Sequence, residues 1–378
     1  MPRVMIVTGE ASGDLHGARL VAAMKELNPD LSVCGMGGIE LRRQGVEILY
    51  DIARMAVVGL VEVITHLKDI RAALRILGNE LRSNPPDLLI LVDYPDFNLL
   101  LAKQAKKAGI PIFYYISPQV WAWRSGRVGK IGLLVDAMAV ILPFEQEFYR
   151  QRGVAVDYVG HPLLDSVKYT VAREDFCRLH QINPDHVLLG LLPGSRKKEI
   201  RSMLPVFLET AARLARTHDN MTVLLPLAPT LTMDDLVACG LNLGQHPVKV
   251  IAENRYDLMA ACDLAMAVSG TVTLELAILD VPMVVSYKMS PVTWFVGRPL
   301  ISVDYASLVN LIGGKEVVSE LLQGEATAAK IAEALEEIWP GRDKREIMLR
   351  ELAAVREKMG GGGASKRAAG LALATVRR

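Results

Sequence analysis

Val4-Met5-Ile6-Val7-Thr8-Gly9-Glu10-Ala11-Ser12-Gly13-Asp14 is the stretch that decides the fold. A short apolar run leaves through a glycine turn and enters an amphipathic stretch, Leu15–Leu27. That is the first half of a βαβ unit, in which a buried strand delivers the chain into a helix. The pattern recurs along the sequence. Strands are expected at Val4–Thr8, Ser32–Gly35, Leu88–Val92, Ile112–Ile116, Ala137–Leu142 and Tyr158–Val159, with helices at Leu15–Leu27, Leu99–Lys107 and Glu145–Arg152. It begins again with strands at Leu188–Leu192, Thr222–Leu225, Lys249–Ile251, Leu264–Ala267 and Met283–Ser286. The helices of this half are expected at Pro205–Thr217, Tyr256–Ala261, Val272–Leu279 and Ala326–Glu337. Such alternation predicts an α/β protein of two Rossmann-like open parallel-sheet domains, with the carboxyl ends of both sheets facing one cleft. The bend Gly160-His161-Pro162-Leu163-Leu164-Asp165 parts them into residues 1–165 and 166–342. A helical tail, 343–378, follows and is broken by Gly360–Gly363.

Composition narrows the function. The 378 residues are 51% apolar and 22% charged, enough for two cores and unlike a disordered chain. Forty-three basic against 42 acidic residues leave a net charge of +1, which offers no bulk attraction for nucleic acid. Cys34, Cys177, Cys239 and Cys262 form no CxxC pair, so they read as reduced, buried thiols of a cytosolic protein. The apolar runs Leu88–Val92 and Leu133–Leu142 (the latter interrupted by Asp136) fall short of the roughly 18–20 residues that cross a bilayer. No signal peptide is expected from the short run ahead of Gly9 and Glu10.

Four strand-to-helix turns carry candidate chemistry. Gly9–Asp14 gathers Glu10, Ser12 and Asp14, with His16 beyond; Ser12 or Asp14 equally suits a helix cap. Leu91–Asn98 ends a hydrophobic strand in Asp93, a general-base candidate, with Asp96 expected to cap the next helix. Leu191–Arg196 offers Gly194 for close backbone approach to a phosphate, Ser195 as donor and Arg196 as forked cation. Ser269–Glu275 starts a helix at Gly270 and Thr271, and Glu275 suits a pair of vicinal hydroxyls. Each turn also has a plainer reading as an ordinary helix start. GxGxxG, GxxxxGK[ST] and HExxH are absent, and Gly9–Gly13 has the wrong spacing for GxSxG. No Asp-x-Asp pair exists to clamp a metal-bound sugar nucleotide, so a departing diphosphate is expected to meet helix N-termini and Arg196 instead.

These residues carry a family resemblance. GEASGD (Gly9–Asp14), VGLVEV (Val58–Val63), DYPDFN (Asp93–Asn98), SPQVWAWR (Ser117–Arg124), LPFE (Leu142–Glu145), VGHPLLD (Val159–Asp165), LLPGSR (Leu191–Arg196), SGTVTLE (Ser269–Glu275) and Asp304, Tyr305, Ser307, Leu308, Asn310 occur in this order. Together they resemble lipid-A-disaccharide synthases, inverting glycosyltransferases of the B-type fold, over essentially the whole chain. The resemblance implies transfer of 2,3-diacylglucosamine from UDP-2,3-diacylglucosamine to 2,3-diacylglucosamine 1-phosphate (lipid X). The products are a β-1,6-linked disaccharide 1-phosphate, a lipid A precursor of lipopolysaccharide, and UDP. It implies Asp93 and Arg196 as residues important for activity; the mechanism expected from these turns makes Asp93 the base, with Glu10 the lesser alternative. The second domain becomes the UDP site, with Gly194, Ser195, Arg196, Ser269, Gly270, Thr271, Glu275 and Asn310. Ser12, Asp14, Trp121, Trp123 and Arg124 fall on the acceptor and lipid side. His16 maps to no family role. No cofactor and no metal are expected. The expected setting is the cytoplasmic face of a Gram-negative inner membrane, touched peripherally, and by analogy the tail packs back on the first domain. Oligomeric state stays open.

Acylated substrates require a lipid-facing surface. Leu60, Val63, Ile64, Leu67, Ile70, Leu74 and Leu77 form one helical stripe beside Lys68, Arg71 and Arg75. An interfacial helix has this pattern, and so does a core-facing one, the plainer reading. Two rivals remain: a UDP-sugar epimerase of the same fold, and a scaffold that binds UDP-sugar without turnover.

Overall fold

The computed structural model describes residues 1–55, 62–123, 125–244, 248–289 and 303–376, without the side chains of residue 55 and residues 62–67. Each half is a parallel sheet. In the first, β1 (Arg3–Val7), β2 (Ser32–Gly37), β3 (Glu47–Asp51), β4 (Leu88–Val92), β5 (Ile112–Tyr115), β6 (Ala137–Val140) and β7 (Asp157–Tyr158) lie in the order β3-β2-β1-β4-β5-β6-β7. Direction reverses between β1 and β4, which pair with Val7 opposite Leu91. The turns leaving these two strands therefore emerge side by side, and this switch point is where a doubly wound sheet opens a ligand crevice.

Side-chain parity builds a layer on each face of this sheet. Val4, Ile6, Leu88, Ile90 and Phe113 pack with Leu20, Val21 and Met24, whereas Met5, Val7, Leu89, Leu91 and Tyr114 pack with Leu77, Leu81, Leu101 and Ala105. Burial on both faces explains why these strands read as unbroken apolar runs.

The second sheet repeats the plan with β8 (Val187–Leu192), β9 (Met221–Pro226), β10 (Val248–Ile251), β11 (Leu264–Ala267), β12 (Met283–Tyr287) and β13 (Glu320–Leu322), ordered β10-β9-β8-β11-β12-β13. Ala267 stands opposite Leu192, so the turns after β8 and β11 flank a second switch point. Strands β3 and β13 escaped the sequence reading. Both are short edge strands with half-buried positions, and they lack the continuous apolar run of a central strand.

The chain divides into Met1–Pro162 with Gly360–Arg378, and Leu163–Met359. The parting falls at Pro162 and Leu163, and the tail is shared between the units. Helix Asp343–Lys358 packs on helices Thr271–Ile278 and Leu308–Gly313, while helix Ala364–Thr375 packs on Ala11–Leu27. Ala368, Ala369 and Ala372 are fully buried there. The return is pinned by Arg367, whose guanidinium donates to the carbonyls of Val159 (2.9 Å), Gly361 (2.7 Å) and Gly362 (2.7 Å). Gly360 and Gly363 take left-handed conformations, φ +84° and +86°, that suit glycine. Cys34, Cys177 and Cys262 are buried and Cys239 half-buried, all as free thiols.

Among the described residues no helix is long and apolar enough to cross a membrane. In helix Glu62–Ser83, Ala73, Leu77 and Leu81 are buried and Ile70 and Leu74 pack against the same core, while Lys68, Arg71 and Arg75 are exposed. The described part of the predicted stripe thus faces the core. Leu60 and the side chains of Val63, Ile64 and Leu67 lie outside the described residues.

Candidate functional site

At the first switch point the two loops meet through Gly9. The Tyr94 ring lies over it and leaves no room for a Cβ. Glu10 follows as the exposed N-cap residue of helix Ala11–Leu27, its side chain uninvolved in capping. The helix begins four residues earlier than Leu15, because glycine, serine and aspartate in its first turn hide the apolar period. Ser12 is exposed in that turn.

Asp93 and Tyr94 both have φ of +45°, two consecutive left-handed residues that are not glycine. Each costs about 1–2 kcal/mol, so neighbouring groups must hold the turn. Asp93 is exposed, yet the protein mass around its carboxyl and then the negative Glu10 push its pKa up to about 6. A carboxylate so placed is matched to accepting a proton near neutral pH. Asp96 does not cap the following helix, which starts at Pro95 with Tyr94 as N-cap. It instead pairs with Arg127 at 2.6 Å.

Other first-unit candidates are absorbed by the fold. Asp14 is buried and accepts from the backbone N–H groups of Gly38 (2.7 Å), Glu40 (2.8 Å) and Leu41 (3.4 Å), thereby capping helix Ile39–Arg43 rather than facing an acceptor. Trp121 is buried, packs edge-on against Phe144 and donates its indole N–H to Glu145 at 3.1 Å. It is packed as a core residue. Trp123 is 48% exposed. Arg124 lies outside the described residues. Burial and nearby Arg19 push His16 down to about 4, which leaves it neutral and a poor proton donor at pH 7.

At the second switch point Gly194 adopts φ +104°, and helix Lys197–Leu214 starts just beyond Arg196. The N–H groups of Ser195 and Arg196 point into the turn as expected, but Glu199 occupies them. Its Oε2 accepts from Ser195 (3.1 Å) and Arg196 (3.2 Å), and its Oε1 accepts from the Arg196 guanidinium at 3.1 Å. A phosphate bound here replaces one anion with another. Apart from this contact with Glu199, the Arg196 side chain is 75% exposed. The arrangement was readable as a polar residue followed three positions later by glutamate.

After β11, Gly270 is the N-cap and Thr271 the exposed first residue of helix Thr271–Ile278, so Thr271 caps nothing. Glu275 is 5% exposed. Its Oε1 accepts from Arg255 at 2.6 Å and Tyr256 at 3.1 Å, leaving Oε2 for a ligand. Burial raises its pKa, with Arg255 opposing the shift. Ser269 donates to Ala306 at 2.7 Å, tying this turn to the loop before helix Leu308–Gly313. Within that helix Asn310 is fully buried. Its Nδ2 donates to Val318 and Glu320, both at 2.8 Å, and its Oδ1 accepts from Val317 (2.8 Å) and Val318 (2.9 Å). No polar atom of Asn310 is left for a nucleotide; it is a strut beneath the site. Asn310→Ala strands several buried backbone groups and is expected to lower stability by about 3 kcal/mol, read from urea unfolding.

Among the described residues no group of three or more His, Cys, Asp or Glu is disposed to hold a metal. The groups able to receive negative charge are the Gly194 turn, the helix start at Gly270, Arg196 and Arg255.

Residues 4–372 match the family model described as lipid-A-disaccharide synthetase. A lipid-A-disaccharide synthase of Geobacter sulfurreducens is 48% identical over 98% of this chain and 96% of its own length. That of Geobacter metallireducens is 49% identical over the same shares. Among solved structures, the glycotransferase of kitacinnamycin superposes with a TM-score of 0.67 at 14% identity, covering 100% of both chains. A UDP-GlcNAc 2-epimerase from Neisseria meningitidis superposes at 0.62 and 14%, covering 99% of each. At these identities the structural likenesses establish the fold alone, which transferases and epimerases share.

Proposed function

The chain belongs to the lipid-A-disaccharide synthetase family and is a glycosyltransferase, and from that premise we propose how its two switch points divide the reaction. The donor is UDP-2,3-diacylglucosamine and the acceptor 2,3-diacylglucosamine 1-phosphate. The second unit holds the donor's UDP: Gly194, Ser195 and Arg196 take the diphosphate, and Glu275 Oε2 takes the ribose hydroxyls. The first unit supplies the base. Asp93 accepts the proton of the acceptor's 6-hydroxyl as that oxygen attacks the anomeric carbon. The bond from that carbon to the diphosphate oxygen breaks, UDP leaves, and the new linkage is β-1,6. Arg196 and the helix-start N–H groups meet the charge that develops on UDP, and no metal is required. Positioning of the two sugars supplies most of the acceleration.

One observation carries this reading: the Asp93 carboxylate stands in the turn after β4 at the switch point of the first sheet, the position that faces a ligand in doubly wound folds. The acyl chains call for peripheral contact between the first unit and the inner membrane at its cytoplasmic face. The assay is UDP release from the diacylated donor with and without the monosaccharide lipid acceptor. Release that requires the acceptor supports transfer. Interconversion of the donor without acceptor indicates an epimerase, and binding with neither indicates a scaffold.

A further inference from the structure

The left-handed pair Asp93–Tyr94 needs an agent that holds it, and the structure supplies two buried side chains aimed at one carbonyl. Asn98 is fully buried, and its Nδ2 donates to the carbonyl oxygens of Asp93 (2.7 Å) and Val92 (3.2 Å). Its Oδ1 has no partner among the described residues, so the amide serves through its donor arm alone. Tyr114, also fully buried, lies on the neighbouring strand β5 and donates its hydroxyl to the same Asp93 oxygen at 2.5 Å. The backbone of Asp93 is tied as well, its N–H donating to Tyr115 at 3.2 Å. With its carbonyl clamped from two directions and its N–H from a third, the Asp93 peptide cannot relax to an ordinary extended exit from β4. The turn so held lays the Tyr94 ring over Gly9 and brings the Asp93 carboxylate alongside Glu10.

We propose that Asn98 and Tyr114 are positioning residues of the transfer reaction, which keep Asp93 and Tyr94 left-handed and so aim the Asp93 carboxylate at the acceptor hydroxyl. The inference rests on Asp93 being the base. Neither residue touches substrate. Both act through the Asp93 backbone, and a small rotation of that peptide moves the carboxylate by an ångström or so, a displacement that costs about 10²-fold in well-aligned reactions.

The test compares Tyr114→Phe, Asn98→Ala and Asp93→Asn. Tyr114→Phe removes one hydroxyl and keeps the ring in its core, so it is the variant expected to fold. It should lower kcat about 10- to 100-fold with KM for the donor and UDP affinity unchanged, and it should displace the acid limb of the kcat/KM pH profile. Asn98→Ala should do the same more severely. Combining Tyr114→Phe with Tyr94→Asn, a residue that accepts left-handed backbone more readily, should recover part of the lost kcat. A folded Tyr114→Phe variant with a lowered melting temperature but unaltered kcat and pH profile overturns the inference. Asp93→Asn separates the two failures. If it retains turnover, the base assignment is what fails; if it is inactive while Tyr114→Phe is unaffected, the positioning role fails alone.

Discussion

Asp93→Ala is expected to reduce turnover by about 10²–10⁴-fold while leaving UDP affinity within a factor of two. The size follows from what is removed: a general base contributes that much, and the rest of the acceleration comes from alignment and charge stabilisation that Asp93 does not supply. The second half of the expectation follows from placement, since Asp93 belongs to the first unit and the proposed UDP groups to the second. The pH dependence has a definite sign. Surrounding protein, then Glu10, push the Asp93 pKa up to about 6. A base must be deprotonated to act, so wild-type kcat/KM should be level above pH 7 and fall about tenfold per pH unit below about 6. Glu10→Gln removes the repelling charge, and the acid limb should then move to lower pH with activity largely kept. Loss of UDP affinity equal to the loss of turnover in Asp93→Ala would make Asp93 structural. An inactive Glu10→Gln alongside an active Asp93→Ala would move the base to Glu10.

Arg196→Ala is expected to weaken UDP about 10-fold. A charge-assisted guanidinium–phosphate contact is worth about 1.5–3 kcal/mol, and the lower end applies because the side chain is largely exposed. Arg196→Lys should recover little of this, since an ammonium does not reproduce the forked donor. Isothermal titration with UDP decides the matter. An unchanged affinity removes Arg196 from the phosphate site. Glu199 enters the same equilibrium: the Ser195 and Arg196 N–H groups it holds are the ones a phosphate needs, so part of the binding energy goes into displacing it.

Much of this was legible in the sequence, for physical reasons that also explain the gaps. β1, β4, β8 and β11 are buried on both faces, so they appear as apolar runs, and the glycine turns after β1, β8 and β11, with the Asp93-Tyr94-Pro95 turn after β4, mark the switch points. Helix starts are the least legible part: Ala11 begins a helix whose apolar period is first visible at Leu15, and Pro95 one whose period is first visible at Leu99. First turns carry polar, glycine and proline residues that interrupt the apolar period. The same turns hold the candidate residues Gly194, Glu275 and Asp93, which is why a reading of the turns picks them out. The supporting polar groups were not. Tyr114 sits in a strand as an apparent core aromatic, and Arg255 and Tyr256 reach Glu275 from the far side of the sheet order. Contacts of that kind obey no spacing rule. Asp14 and Asn310 mark the converse failure. Both lie close to the candidate turns, Asp14 in the first turn of helix Ala11–Leu27 and Asn310 in helix Leu308–Gly313, but every hydrogen-bonding arm that the fold could use, it did use.

The most direct measurement is the crystal structure of the protein soaked with UDP alone. The diphosphate should lie against Gly194, Ser195 and Arg196, with the Glu199 carboxylate withdrawn from their N–H groups and the ribose hydroxyls on Glu275 Oε2. Nucleotide density at Gly9–Asp14, or a diphosphate held through a divalent ion, would contradict the assignment of the two switch points.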